Sequence, residues 1–405
     1  MKRVLFVSIA FPPKKDPECI QTARYFHYLS KTDKFYLDVL TSKSPTLFMP
    51  EDPTLNKYNC GWDHKYELKI LENKYLSFIQ RNLWESPLIL PDTKAHFHRQ
   101  WKKAVSMINN PPDIIYSRSY PLSSSVAAYK LVKYFKVPWV LHLSDPWEDS
   151  PLHQYSPKGK SYHKIWENLC FNQANAICLT SQKSIEFYSK KYPKLANKFQ
   201  LFPNVFDPSE IKRNRYQIRD KLRIVYTGGL AGTRSPNTFL EGLQQFNKVS
   251  GMSNLLEVIF AGPCDRKMQA VIKKFNLSNF KYVGSLSLEE SIKLQRTADI
   301  LLIIDSHIHS EELSMYFPSK ILEYLIAQRR IVSLTTKNSS TAHIMSQLGF
   351  HSIDLEDVDE IANHLGFLAD KLVSKSYSYF QIENVPEEFS ASYNANRLAE
   401  LLNNV

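Results

Sequence analysis

From end to end this chain alternates short runs of apolar residues with stretches of helical pattern, and the runs are apolar throughout, with no polar residue at every second position. A strand of that kind is buried on both faces, which requires helices above and below a parallel sheet. In the first half the runs predict strands over Val4–Phe11, Tyr36–Thr41, Asp113–Ser117, Trp139–Ser144 and Ala176–Thr180. Helical patterns cover Glu18–Ser30, Ser123–Tyr134 and Lys160–Gln173. In the second half, strands are expected at Leu222–Thr227, Leu256–Ala261, Lys281–Val283, Ile300–Ile304 and Ile331–Leu334, again alternating with helices. Two such series in succession predict an α/β protein of two Rossmann-like domains, residues 1–206 and 207–386. The break falls near the polar, basic stretch Asp207–Lys221. Glycine usage changes there too, with two glycines before residue 207 and nine after it. Sheets of this kind take their ligands at the carboxyl ends of the strands, so the loops that follow strands are where chemistry is expected.

With 405 residues, 43% apolar and 22% charged, the chain can bury large cores, which excludes a disordered or fibrous protein. Its longest apolar runs, such as Ile300–Ile304 between Asp299 and Asp305, are far shorter than the roughly 20 residues that span a bilayer. Met1-Lys-Arg3 leads into only a short apolar run that Pro12-Pro13 ends, so no secretory signal is expected. The five cysteines are scattered and form no Cys-x-x-Cys, which points to reduced thiols, no structural zinc and a cytoplasmic setting. Charge is uneven. Residues 1–206 hold 29 basic and 17 acidic side chains, whereas residues 207–405 hold 22 and 23. The basic half also carries Trp62, Trp84, Trp101, Trp139, Trp147 and Trp166. Such a half suits an anionic partner (a lipid headgroup surface, a nucleic acid or an acidic glycan), or belongs to a protein that is simply basic.

Three segments carry candidate chemistry. In Phe317-Pro-Ser-Lys-Ile-Leu-Glu-Tyr-Leu-Ile326, Pro318 suits a first helical position, and Ser319, Lys320, Glu323 and Tyr324 fall on one arc opposite Ile321, Leu322, Leu325 and Ile326. A helix amino end reinforced by Lys320 attracts an anion, and Glu323 can accept two ribose hydroxyls. The same residues also suit a surface helix with an i,i+3 ion pair. In Ile224-Val-Tyr-Thr-Gly-Gly-Leu-Ala-Gly-Thr-Arg-Ser-Pro236, a strand gives way to a turn. Gly228, Gly229 and Gly232 admit a ligand to the backbone there, and Arg234 can clamp a diphosphate; read alone, the segment fits a tight turn with a solvated Arg better. In Trp139-Val-Leu-His-Leu-Ser-Asp-Pro-Trp147, a strand brings His142 and Asp145 towards its carboxyl end, as a base or to orient an acceptor hydroxyl. Asp145 can also stabilise the turn before Pro146, with His142 hydrogen-bonded in the core. The pairs His96-Phe-His98 and His307-Ile-His309 would place imidazoles on one side of a strand but lack a third ligand, and Asp357-Val-Asp359 reads as an acidic helix start.

Taken together these motifs resemble the GT-B glycosyltransferases, and are similar to the family-four group of retaining enzymes. Pro318–Leu325 resembles that group's donor helix and Tyr226–Pro236 its diphosphate loop. Phe260–Pro263, Val283-Gly284 and Ala298–Leu302 follow in the family's order, while Phe11–Pro13 with Ala23-Arg24 and Ser144–Trp147 resemble parts of its acceptor domain. The chain departs from the pattern in three places. Gly229 stands where many relatives have a second basic residue, Met315 where they have the first of two acids, and Lys14–Glu18 where they have Gly-Gly. The resemblance implies two facing domains, the first acceptor-side and completed by about residues 387–405, with a helix around Tyr393–Leu402 crossing back to it. It implies glycosyl transfer from a nucleotide sugar to a lipid-linked or cell-surface glycan, with no cofactor and no metal. Donor contacts fall to Gly228, Gly229, Arg234, Pro318, Ser319, Lys320 and Glu323, and catalysis near the acceptor to Asp145 and His142. The basic first half would rest on the anionic inner face of a membrane. The alternatives are a nucleotide-sugar epimerase of the same fold, a degenerate transferase and, on charge alone, a nucleic-acid binder, for which no motif is present.

Overall fold

Strands that are apolar on both sides are covered on both sides in the computed structural model, which describes residues 1–75, 78, 90–150, 155–212, 219–307 and 315–405. Trp84, His309 and residues 213–218 of the basic stretch lie outside the described residues. The first sheet is built from β1 (Lys2–Val7), β2 (Phe35–Ser42), β3 (His64–Leu68), β4 (Ile114–Ser119), β5 (Trp139–Leu143), β6 (Ala176–Leu179) and β7 (Phe199–Leu201), in the order β3-β2-β1-β4-β5-β6-β7. The second is built from β8 (Leu222–Thr227), β9 (Leu256–Ala261), β10 (Phe280–Tyr282), β11 (Ile300–Ile304), β12 (Arg330–Leu334) and β13 (His351–Ile353), in the order β10-β9-β8-β11-β12-β13. Every pairing is parallel; Val4, for example, lies between Leu37 and Ile114, and Ile224 between Val258 and Ile300. In each sheet the strand order reverses direction beside its first strand, between β1 and β4 and between β8 and β11. A crevice opens at the carboxyl ends of such neighbours because the two following connections leave in opposite directions.

The chain divides into two compact units. One comprises Met1–Asp207, Met315–Phe317 and Glu388–Val405, the other Pro208–Ser314 and Pro318–Glu387. The first unit buries apolar side chains on both faces of its sheet. On one face Leu131, Phe171 and Ala104 are buried from helices; on the other, Tyr25, Phe26 and Leu29 meet Ala395, Leu398 and Leu402 of the helix Ala391–Asn404. That C-terminal helix therefore returns to the first unit. It is tied there by Phe206 N–H to Phe389 O (2.9 Å), by Ala391 N–H to Phe206 O (2.8 Å) and by the Arg397 guanidinium on Leu201 O (3.0 Å). The second unit packs its own core of Ile224, Leu302, Val332 and Phe260 against Leu243 and Leu365. Several helix amino ends are prepared by sequence: Asp16, Ser156, Ser181, Asp265, Ser287 and Asp357 all cap with their side chains.

Three expectations are corrected here. β1 stops at Val7 instead of running to Phe11, because the Ile9 carbonyl turns back to the Phe11 N–H (3.1 Å) ahead of the two prolines. His96 and His98 lie on a helical turn, His96–Arg99, where residues two apart point in different directions; His96 meets the Leu71 N–H and His98 the Leu90 carbonyl. Pro318 is not the first helical residue: Ile321 and Leu322 bond back three residues to Pro318 and Ser319, and the α-helix proper is Lys320–Ile326.

Candidate functional site

In the second unit the crevice beside β8 collects most of the donor-site candidates. β8 ends at Thr227, and the following loop is laced to the loop after β9. Gly228 N–H donates to Ala261 O (2.7 Å), Leu230 N–H to Pro263 O (2.9 Å), and Gly232 N–H to the Asp265 carboxylate (3.1 Å). Two glycines sit at close approaches in this lacing. A β-carbon on Gly262, at φ +133°, would stand 2.1 Å from the Gly228 carbonyl oxygen, and one on Gly228 would stand 1.8 Å from Lys320 Nζ. Lys320 thus reaches from the start of its helix onto the loop, donating to the Thr227 carbonyl and lying 5.1 Å from the Tyr226 ring centroid. Burial pushes its ammonium down to about 8, against the pull of Glu323 and with the help of Arg234.

Arg234 is half-buried on the same loop, and its Nε has no hydrogen-bond partner among the described residues. Its charge acts on Lys320, on Tyr226 and on Asp305. Asp305 is the first residue beyond β11, on the other side of the crevice, and burial holds its carboxyl above the usual range while Thr335 Oγ1 donates to it (2.6 Å). Glu323 is half-buried and accepts from Gln295 Nε2 (3.3 Å), which also donates to Thr227 Oγ1 (2.9 Å). Tyr324 was placed on the outer arc with Glu323, yet it is fully buried. Its hydroxyl accepts from the Thr227 N–H (3.1 Å) and donates to Leu302 O (3.2 Å), pinning the helix to the ends of β8 and β11. Gly228, Gly229, Arg234, Lys320 and Glu323 are therefore brought together, with exposed Ser319 and half-buried Pro318 leading in. Asp305, Gln295 and Thr335 complete the site and were not singled out by the sequence, where Asp305 only ends an apolar run.

The first unit gathers a different group. His142 is not at the strand end but inside β5, with no exposed surface. Its Nε2–H donates to Phe202 O (3.1 Å), and its Nδ1 accepts from the Tyr116 hydroxyl (2.7 Å) and from Arg118 Nη1 (3.0 Å). Burial and the Arg118 charge hold it neutral, well below the usual imidazole range. It is a core residue, because a strand covered on both faces turns every side chain inward. Asp145 does lie beyond the strand end, half-buried, with its carboxyl pushed up to about 6 by burial, lowered by Arg118 and raised again by Asp16. Arg118, fully buried, also stands 2.7 Å from Glu18 Oε1, whose acid burial pushes up to about 8 against the pull of that guanidinium. Glu18 and Arg118 were missed because they are distant in sequence and meet only when β4 lies beside β1.

One set of three carboxylates converges closely among the described residues, Glu148, Asp149 and Glu167. The Lys191 ammonium already sits among them at 2.7, 2.5 and 2.7 Å. Asp357 caps a helix through the Glu360 N–H (2.8 Å). Among the described residues no helix is long and apolar enough to cross a membrane.

No protein-family model matches the chain, and no curated protein matches it in sequence. Solved structures do match. Anabaena Alr3699/HepE in complex with UDP-glucose superimposes with a TM-score of 0.64 at 14% identity over 100% of both chains. The E. coli trehalose-6-phosphate protein bound with UDP-2-fluoro glucose gives 0.64 at 13% identity over 100% of this chain and 99% of that one. A Listeria monocytogenes protein described as a UDP-N-acetylglucosamine 2-epimerase gives 0.60 at 12% identity over 99% and 95%. The chain has the GT-B fold: two parallel-sheet α/β domains with a C-terminal helix that returns to the first.

Proposed function

We propose that this protein is a glycosyltransferase that binds a nucleotide-diphosphate sugar in its second unit and passes the sugar to a lipid-linked or cell-surface glycan. The observation that carries the reading is the meeting of Arg234 and Lys320 at a glycine loop beside the point where strand order reverses. Two cations at a glycine loop suit a diphosphate, and the same charges offset the negative charge that develops on the leaving group. Glu323 takes the ribose. The motif order favours retaining, metal-independent chemistry of the family-four kind, at a cytoplasmic site peripheral to the membrane. Asp145, not His142, is the acceptor-side residue. HepE was solved with UDP-glucose, which makes UDP the first nucleotide to test.

Thermal stabilisation against UDP, GDP, ADP and CMP, each with its common sugars, tests the donor site. One nucleotide is expected to raise the melting temperature, and Glu323→Ala and Arg234→Gln are each expected to remove most of the rise. Unchanged binding in both variants would sink the assignment. The epimerase-like neighbour motivates the competing reading, in which incubation with the nucleotide sugar alone yields an epimerised sugar without any acceptor. Binding without turnover in either assay is the outcome for a degenerate transferase, in which Met315 marks the lost acid.

A further inference from the structure

The excess charge of the first unit lies on one face. Four of the helices on the side of the sheet where Leu131 and Phe171 pack are His96–Arg99, Trp101–Met107, Ser123–Phe135 and Pro157–Gln173. Together they contain eight Lys or Arg and one acid. That acid, Glu167, is fully buried and bonded to Lys191. The two helices on the opposite face, Pro17–Ser30 and Ala391–Asn404, contain two basic and two acidic residues. The basic helices run side by side, joined by edge contacts of Trp101 with Tyr134 (6.2 Å) and of Tyr129 with Trp166 (5.6 Å). Their outer surface leaves Lys102, Lys103, Lys133 and Lys164 exposed, and among them Tyr134 is 54%, Ile165 56% and Leu169 40% exposed. On the last helix, Lys158, Lys164, Ile165 and Leu169 fall within one arc of about 140°.

We propose that this face docks on an anionic lipid bilayer, with the lysines against headgroup phosphates and Tyr134, Ile165 and Leu169 entering the interface. Seven of the eight cations are lysines. Point charges on flexible stems suit a diffuse negative surface, whereas phosphate and base-edge recognition in nucleic acids favours the forked guanidinium. Exposed Ile and Leu between lysines fit a bilayer interface. The inference deepens the peripheral placement proposed above but uses none of the donor-site residues.

Co-sedimentation of the full chain with vesicles of phosphatidylcholine alone, and of phosphatidylcholine mixed with phosphatidylglycerol, tests it at low and raised salt. Binding is expected only to the mixed vesicles and weakens with salt. Lys102→Gln/Lys103→Gln/Lys133→Gln is expected to lower it on the order of a hundredfold, from about 1 kcal/mol per lysine. Ile165→Ser/Leu169→Ser is expected to lower it at constant charge. Lys267→Gln/Lys273→Gln/Lys274→Gln, on an exposed helix of the other unit, changes net charge equally and is expected to leave it nearly unchanged. Absence of vesicle binding, or equal losses in the two lysine triples, would overturn the proposal. So would tRNA binding lost in the first triple while the apolar pair leaves vesicle binding intact. Nucleotide-induced stabilisation of the same variants keeps the two readings apart: if it persists while vesicle binding is absent, the docking face is wrong and the donor site stands.

Discussion

At the residue scale, Lys320 and Asp145 are among the side chains whose protonation the fold has moved into an accessible range. Lys320 is lowered from 10.5 to about 8 because it is buried beside Arg234. A nucleotide sugar's diphosphate favours the charged form, so binding takes up a proton above that value. Affinity is expected to fall on the order of tenfold per pH unit above about 8. Lys320→Met should bind weakly with a flat profile, and Arg234→Gln weakly with the slope retained; isothermal titration from pH 7 to about 9.5 reads both. Asp145 moves in the opposite sense, from 3.8 to about 6, through burial. Its folded-state value lies above the unfolded one, so the folded protein holds this proton more tightly between those pH values. The group therefore costs stability that appears as pH rises through the window and is complete above about 6. Asp145→Asn is expected to raise stability at pH 8 by up to about 3 kcal/mol while changing little at pH 4, and to abolish transfer. Unfolding curves at the two pH values give the first result, and a transfer assay the second.

At the scale of elements, the loop after β8 and the helix Lys320–Ile326 act as one device, and two glycines separate its binding role from its folding role. A β-carbon on Gly228 meets side chains: the far end of Lys320, which can swing away, and the Tyr226 hydroxyl at 2.8 Å. Gly228→Ala is therefore expected to fold with a smaller loss of stability than a clash with backbone would bring, but to lose nucleotide affinity as Lys320→Met does. A β-carbon on Gly262 meets backbone and sits at a φ that L residues rarely adopt. Gly262→Ala is expected to destabilise by about 2–4 kcal/mol in urea unfolding. The order of these elements was readable in the sequence because buried parallel strands are apolar throughout. β3 (His-Lys-Tyr-Glu-Leu) and β13 (His-Ser-Ile) were missed because edge strands are half-solvated and carry polar residues. Within the site, Gly228, Arg234, Lys320 and Glu323 were legible because each lies in a local motif. Gln295, Asp305 and the Glu18–Arg118 pair were not, because their partners are set by strand order. His142 was misplaced for a related reason: a polar residue in a strand looks functional until its neighbours on adjoining strands supply its hydrogen bonds.

At the scale of the whole molecule, two units with separate cores give two separable unfolding events, and the sequence provides a reporter for one of them. All six tryptophans fall within residues 1–206. Trp139 and Trp147 are fully buried in the first unit, so intrinsic tryptophan fluorescence follows that unit alone, while far-UV circular dichroism follows both. The helix Ala391–Asn404 supplies Ala391, Ala395, Leu398 and Leu402 to the first unit's core, each fully buried against Tyr25, Phe26 and Leu29. Burial of one such leucine is worth about 1.5–3 kcal/mol, and its removal leaves an apolar surface that water must cover. Truncation after Phe389 is therefore expected to lower the fluorescence-detected melting temperature steeply while a later dichroism transition remains near its original position. With the proposed donor site in the second unit, nucleotide at a hundredfold excess over its dissociation constant should stabilise that later transition by about 2.7 kcal/mol and leave the fluorescence transition of the truncated chain in place. Loss of both transitions together on truncation would mean that the second unit does not fold without the first. A nucleotide shift seen only in fluorescence would place the donor site in the wrong unit.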